Sequence, residues 1–160
     1  MAARPAYSGA SPSRIRPSML PPIDTIIENF EIVEDDDMRL EYLIELGRAL
    51  PPMPETERTE ANRVHGCESQ VWIDTGVEQS GGAPRLVLHG FSDSFIVRGF
   101  VALMVALYTG KTPQEAAETD GLDLFRHLRF GSHVTSKRSN GVRAMAERIH
   151  HDAVRLAAQA

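Results

Sequence analysis

The sequence predicts an α+β domain with helices packed on one face of a small antiparallel β-sheet, and three observations predict it. Two period-two runs, 70–78 and 85–91, flank the turn cluster Ser80-Gly81-Gly82-Ala83-Pro84, which is the signature of a hairpin. Helical periodicity occupies the chain on both sides of that hairpin. The segment that follows it, Phe95-Ile96-Val97 and then Phe100 to Tyr108, is apolar on nearly every face, so it belongs at the centre of a domain. Helices, a hairpin, then helices again is an α+β order.

The elements follow from the N-terminus. Residues 1–22 carry Arg4, Arg14 and Arg16, no acid, and five prolines, so they are expected to be a disordered leader ahead of a domain over 23–160. An Arg- and Ser-containing, acid-free leader also has the composition of an organellar transit peptide, although its prolines oppose the amphipathic helix such peptides form. Ile23, Ile26, Ile27 and Phe30 share one helical face. The run Glu34-Asp35-Asp36-Asp37 caps the next helix, which carries Leu40, Leu43, Ile44 and Leu46 and stops at Pro51 and Pro52. Residues 55–69 are loop-like, with an extended stretch at 63–65. In the hairpin Val71, Ile73, Thr75 and Val77 alternate with Trp72 and Asp74. Ser92-Asp93-Ser94 opens the central helix, with Asp93 expected as its cap rather than as a catalytic base. Thr112-Pro113-Gln114-Glu115 is a capping box for a short helix. Another follows near Leu122–Leu128, and the last helix is expected to start near Asn140, with Val142, Met145, Ile149, Ala153 and Leu156 on one face.

Composition narrows the functions. With 17 Lys plus Arg against 22 Asp plus Glu the chain has a formal net charge of −5, without the basic footprint that binding a phosphate backbone needs. No run approaches the ~18 apolar residues of a membrane span. A single cysteine excludes an intrachain disulfide, a multi-cysteine zinc site and an iron–sulfur cluster held by this chain alone. His150-His151 are adjacent, the wrong spacing for a metal pair on one helix face. Lys111 and Lys137 read as helix-end or loop residues.

That cysteine lies in Asn62-Arg63-Val64-His65-Gly66-Cys67-Glu68-Ser69-Gln70. A lone cysteine is most often a small buried hydrophobe. Against that, Cys67 sits in a polar loop, Arg63 and His65 favour a thiolate while Glu68 opposes one, and Gly66 suits a thiol presented to a partner. On these residues alone a reactive thiol and an inert one both stay open.

The segment Gly66-Cys67-Glu68-Ser69-Gln70-Val71-Trp72 resembles the G-C-x-S-Q-V-W signature of the SufE family, the cysteine desulfuration proteins. The resemblance extends from about Phe30 to Ile149. Arg39 to Arg48 with Leu50-Pro51-Pro52, then Asn62, Val64 and Gly66, fall in the family's order. Ser92-Asp93-Ser94 with Arg98-Gly99, Lys111-Thr112-Pro113 and Arg138-Ser139-Asn140-Gly141 continue it. The resemblance implies a SufE/IscU-like fold and a sulfur carrier. Cys67 would take persulfide sulfur from a PLP-dependent cysteine desulfurase of the SufS or CsdA kind and pass it to an iron–sulfur scaffold, stimulating the desulfurase. PLP would belong to the partner, and the carrier would need neither cofactor nor metal of its own. A cytoplasmic location is expected, or an organellar one if 1–22 is a transit peptide; homodimerisation is left open.

Arg138, matching the family's R-x-N-G, is either a partner contact or an ordinary helix-start residue with Asn140 as N-cap. His65 is either a proton shuttle for Cys67 or a solvated loop residue, and Trp72 is expected to pack on the hairpin. Two other functions compete with the carrier: an adaptor that stimulates a desulfurase without carrying sulfur, and a cysteine hydrolase with His65 as base, which lacks an evident third orienting group. A carrier should also keep its thiol tucked against the apolar base of the loop until docking.

Overall fold

Tyr108, Phe100 and the run from Val101 to Val105 are buried together along one helix, and the other elements are arranged around it. The computed structural model describes residues 20–130 and 135–159. In chain order it contains α1 (Ile23–Ile32), α2 (Asp36–Ala49), a 3-10 turn at Glu55–Glu57, β1 (Val71–Ser80) and β2 (Ala83–Ser92). Helices α3 (Phe95–Tyr108), α4 (Pro113–Ala117), α5 (Gly121–Leu128) and α6 (Ser136–Gln159) follow. The leader expected over 1–22 lies, as far as residue 19, outside the described residues. Leu20 is buried in the core, so packing reaches at least that far.

β1 and β2 pair antiparallel with Val71 opposite Ser92 and Ser80 opposite Ala83. One face of the hairpin, Val71, Ile73, Thr75, Leu86, Leu88 and Gly90, turns to the helices, as its alternation requires. Val77, expected on that face, is exposed, whereas Leu86 opposite it on β2 is buried and bonded through its backbone to Gly110 and Lys111, so the cover at this end lies over β2 and not β1. The extended stretch before the cysteine lies along β1: Val64 N–H donates to Val71 O at 2.8 Å and Ile73 N–H to Asn62 O at 2.9 Å. Arg148 of α6, ion-paired with Asp152 at 3.0 Å, holds this strip by donating to the carbonyls of Arg63 and Ile73.

Two expected helix starts need correction. The cap of α3 is Ser94, whose hydroxyl accepts from Val97 N–H, and not Asp93, which lies one residue too early to reach it. α6 begins at Ser136, not near Asn140. Thr135 Oγ1 accepts from Arg138 N–H at 3.3 Å, so a hydroxyl one turn earlier supplies the cap and Asn140 sits inside the helix. Asp35 caps α2 and Thr112 with Glu115 forms the capping box, both as expected.

Helices approach α3 closely where side chains are missing. A β-carbon on Gly99 would stand 2.5 Å from Leu43 O, and one on Gly47 2.8 Å from Gly99 N, so α2 and α3 cross almost backbone to backbone. On the sheet side a β-carbon on Gly90 would meet Val101 Cγ1 at 2.5 Å. Arg39 serves a second junction. Its guanidinium, 7% exposed, donates to the carbonyls of Phe30, Val33 and Leu128 and lies over the Phe30 ring. These are end-of-helix carbonyls of α1 and α5, which lack intrahelical partners and carry the negative ends of the helix dipoles.

Gly99→Ala is therefore expected to lose about 1–3 kcal/mol through overpacking, and Arg39→Leu roughly 3 kcal/mol by orphaning buried carbonyls. Gly76→Ala, where a β-carbon meets nothing within 4 Å, should cost no stability. Urea denaturation of the three variants checks the ranking.

Candidate functional site

Cys67 sits in the loop between the strip along β1 and the start of β1 itself. Gly66 has φ +96°, a left-handed conformation that a side chain would strain, and a β-carbon there would also press on Ala144 at 3.3 Å. The turn this permits lays Cys67 against α6. Its Sγ, half-buried, donates to Gly141 O at 3.6 Å. A β-carbon on Gly141 would lie 3.4 Å from Sγ, in van der Waals contact with the thiol. Glycine inside a helix costs about 1 kcal/mol relative to alanine; here it gives the sulfur a seat on the helix backbone.

Beside the thiol is a cavity of about 90 Å³. Val97, Phe100, Gly141 and Met145 make its apolar base, and Glu68, Ser69, Lys137 and Arg138 stand with Cys67 around it. Lys137 Nζ bonds Glu68 at 2.9 Å, an exposed pair joining the cysteine loop to the first turn of α6. From the other side Asp93 Oδ1 accepts from Gln70 N–H at 3.1 Å, tying the loop to the start of α3. The thiol is thus tucked against the apolar base of its loop.

Burial pushes the Cys67 thiol above its ordinary range, and the Arg63 guanidinium pulls it down by less. The resting sulfur is accordingly a neutral S–H, the form that can donate to Gly141 O. The acceptor carbonyl and the residues of the cavity base were not marked by any sequence signal except the R-x-N-G pattern that contains Gly141.

The residues singled out in the sequence divide. Cys67 and Arg138 come together at the cavity, Gly66 supplies the turn that puts Cys67 there, and Asp93 reaches the same loop through Gln70. His65 is exposed, bonds Glu60 at 2.8 Å and is not among the residues lining the cavity; the charge acting on the thiol is that of Arg63. Trp72 packs across the strands against Phe91. Among the described residues one group has metal-ligand character: Glu57, Asp74 and His89, whose ligand atoms lie within 4.8 Å of one another on the outer face of the hairpin. Glu57 and His89 already bond each other at 2.6 Å, which pins the 3-10 turn to β2 and accounts for the group.

The SufE Fe-S metabolism associated domain matches residues 24–153. The chain belongs to the SufE family. It is 42% identical over 131 residues to an uncharacterised SufE-like protein of Rhizobium meliloti, covering 82% of this chain and 94% of that one. A SufE-like protein of Rhizobium etli, also uncharacterised, is 42% identical over 137 residues, 85% of this chain and 93% of its own length. In structure it is similar to a hypothetical protein of Thermus thermophilus solved in solution, with a TM-score of 0.67 over 87% of this chain and 98% of that one. At 21% identity that likeness shows the fold alone. Family membership associates the chain with iron–sulfur metabolism. No helix among the described residues is long and apolar enough to cross a membrane.

Alkylation of Cys67 by iodoacetamide should follow a pH midpoint above that of a free cysteine, and Arg63→Met should move it further up by removing the charge that lowers it. The thiol's preference for its proton in the folded state stabilises the protein below the ordinary thiol range, and that contribution is lost as pH rises through the folded pKa. A midpoint unchanged or lowered in Arg63→Met would contradict the assignment.

Proposed function

We propose that this SufE-family protein is a sulfur acceptor and carrier: Cys67 takes persulfide sulfur from a PLP-dependent cysteine desulfurase and passes it to an iron–sulfur scaffold, stimulating the desulfurase as it does so. The observation that carries the reading is the placement of a lone cysteine on a glycine turn beside an apolar-based cavity with room for an added sulfur atom. The SufE signature around that cysteine points the same way.

The chemistry needs one thiol. Cys67 as a thiolate attacks the terminal sulfur of the donor persulfide; a new S–S bond forms, the donor's S–S bond breaks, and the donor cysteine leaves as a thiolate that takes up a proton. The exchange is redox-neutral and leaves Cys67 as a persulfide. With no second cysteine in the chain, nothing intramolecular resolves that persulfide to a disulfide and expels sulfide. The same count argues against an iron–sulfur scaffold, which needs more thiolate ligands. PLP stays with the donor, and no cofactor is assigned to the carrier.

The protonated resting thiol fits a carrier that is silent until docked. Attack requires the S–H to leave the Gly141 carbonyl and lose its proton, with the Arg63 charge already in place to favour the thiolate. Gly66 and Gly141 permit the seat, Asp93 and the Glu68–Lys137 pair hold the loop over it, and Arg138 stands at the rim where a partner would arrive. His65, bound to Glu60, fits the solvated role better than the proton shuttle, and the hydrolase reading lacks its base.

Sulfide release by a SufS-type desulfurase with cysteine and reductant tests this. The wild-type protein should raise turnover, and Cys67→Ser should abolish the increase while leaving the fold intact, because the change is small and lies in a loop. Stimulation retained by Cys67→Ser would mean an adaptor that carries no sulfur.

A further inference from the structure

The outer face of the hairpin, turned away from the helices, is laid with alternating rings and guanidinium groups. Trp72 and Phe91 are opposite each other across the strands, their rings 6.2 Å apart. Arg63 lies 5.6 Å over the Trp72 ring, and Arg58 and Arg98 lie 4.6 and 4.5 Å from the Phe91 ring. Arg98 also reaches the ring of Phe95 at 5.5 Å. Phe95, at the first position of α3, is 61% exposed. In the same turn Ser94 and Val97 line the Cys67 cavity, so the stack runs into the rim where Lys137 and Arg138 stand.

Nothing internal uses this arrangement fully. Among the described residues no carboxylate is ion-paired with Arg58, Arg63 or Arg98; Arg58 and Arg98 donate to the main-chain carbonyls of Met53 and Ser92. The acids at this edge are engaged elsewhere: Glu68 with Lys137, Asp93 with Gln70 N–H, Glu57 with His89. Three guanidinium groups without a carboxylate partner among the described residues are set against a whole-chain net charge of −5. Phe95 is exposed and the other rings and arginines are half-buried; aromatic and arginine side chains are the residue types that dominate binding hot spots, and stacking holds these rings and forks in place before any partner arrives, which lowers the entropy lost on binding.

We propose that this ring-and-arginine stack is the docking face for an acidic surface on the persulfide-bearing partner. Phe95 enters an apolar recess there, and Arg58, Arg63 and Arg98 face carboxylates. The inference rests on the carrier reading, because it is sulfur transfer to Cys67 that places a protein partner at this rim. The stack orients that partner so that its persulfide meets the cavity, and its charge makes encounter fast and sensitive to salt.

The test measures binding to a SufS-type desulfurase and sulfur loading separately, for wild type, Phe95→Ser and Arg58→Glu. Both substitutions lie outside the cavity lining and should leave iodoacetamide alkylation of Cys67 unchanged; Phe95→Ser, at an exposed side chain, should also leave the melting temperature unchanged, whereas Arg58→Glu gives up its contacts with Met53 and Phe91 and should lower it slightly. Phe95→Ser is expected to raise Kd about tenfold or more, and Arg58→Glu to slow association and flatten its salt dependence. If wild type binds and is loaded but both variants bind within about twofold of it, the docking face is wrong and the carrier reading stands. If wild type neither binds nor is loaded by any such desulfurase, the carrier reading fails and the face loses its occupant.

Discussion

The near-contact of α2 and α3 at Gly47 and Gly99, matched by Gly90 against Val101 on the sheet side, fixes where the rest of the molecule sits. Three positions without side chains let α3 lie flush between a helix and a hairpin. With α3 held there, its first turn supplies Ser94 and Val97 to the wall of the Cys67 cavity, and Phe100 one turn later lies at its base. The residues just ahead of it supply the Asp93 tether to the cysteine loop. The thiol's position is thus a consequence of core packing as much as of the loop that carries it.

The second determinant is the place where α6 passes beneath that loop. A glycine inside a long helix weakens it, yet at Gly141 the missing side chain lets sulfur rest on a main-chain carbonyl. The same helix, one turn earlier, offers Lys137 to Glu68, and farther on Arg148 clamps the strip that leads to the cysteine. Loop and helix therefore form one unit in which burial keeps the sulfur protonated and Arg63 opposes that from the side. The proposed carrier role needs this balance: a thiol too well ionised would react with any electrophile it met, and one buried without a nearby cation would be slow to give up its proton.

Much of this was legible in the sequence because local chemistry and tertiary packing agree. The hairpin showed in its alternation, α3 in its all-round apolarity, and the caps of α2 and α4 in Asp35 and Thr112 with Glu115. Cys67 stood out as a lone thiol after a glycine, and the SufE signature around it gave family and fold. The misses have physical causes. Ser139-Asn140-Gly141 reads as a helix start, but these residues are tolerated inside α6 because Gly141 faces the sulfur and Thr135 caps earlier. Ser92-Asp93-Ser94 offers three side chains of capping type, and backbone geometry decides for Ser94 and frees Asp93 for the loop. Arg39 gave no hint of its burial, since it finds main-chain carbonyls from helices far apart in sequence and no carboxylate.

The proposed carrier role requires one sulfur atom to come to rest on Cys67. Intact mass of the protein after incubation with cysteine and a SufS-type desulfurase, taken without reductant, reads that event itself. A gain of one sulfur atom is expected, mapped to the peptide containing Cys67 and lost on treatment with a reducing thiol. An unchanged mass alongside accelerated desulfurase turnover, or added sulfur on any other peptide, would overturn the carrier role of Cys67.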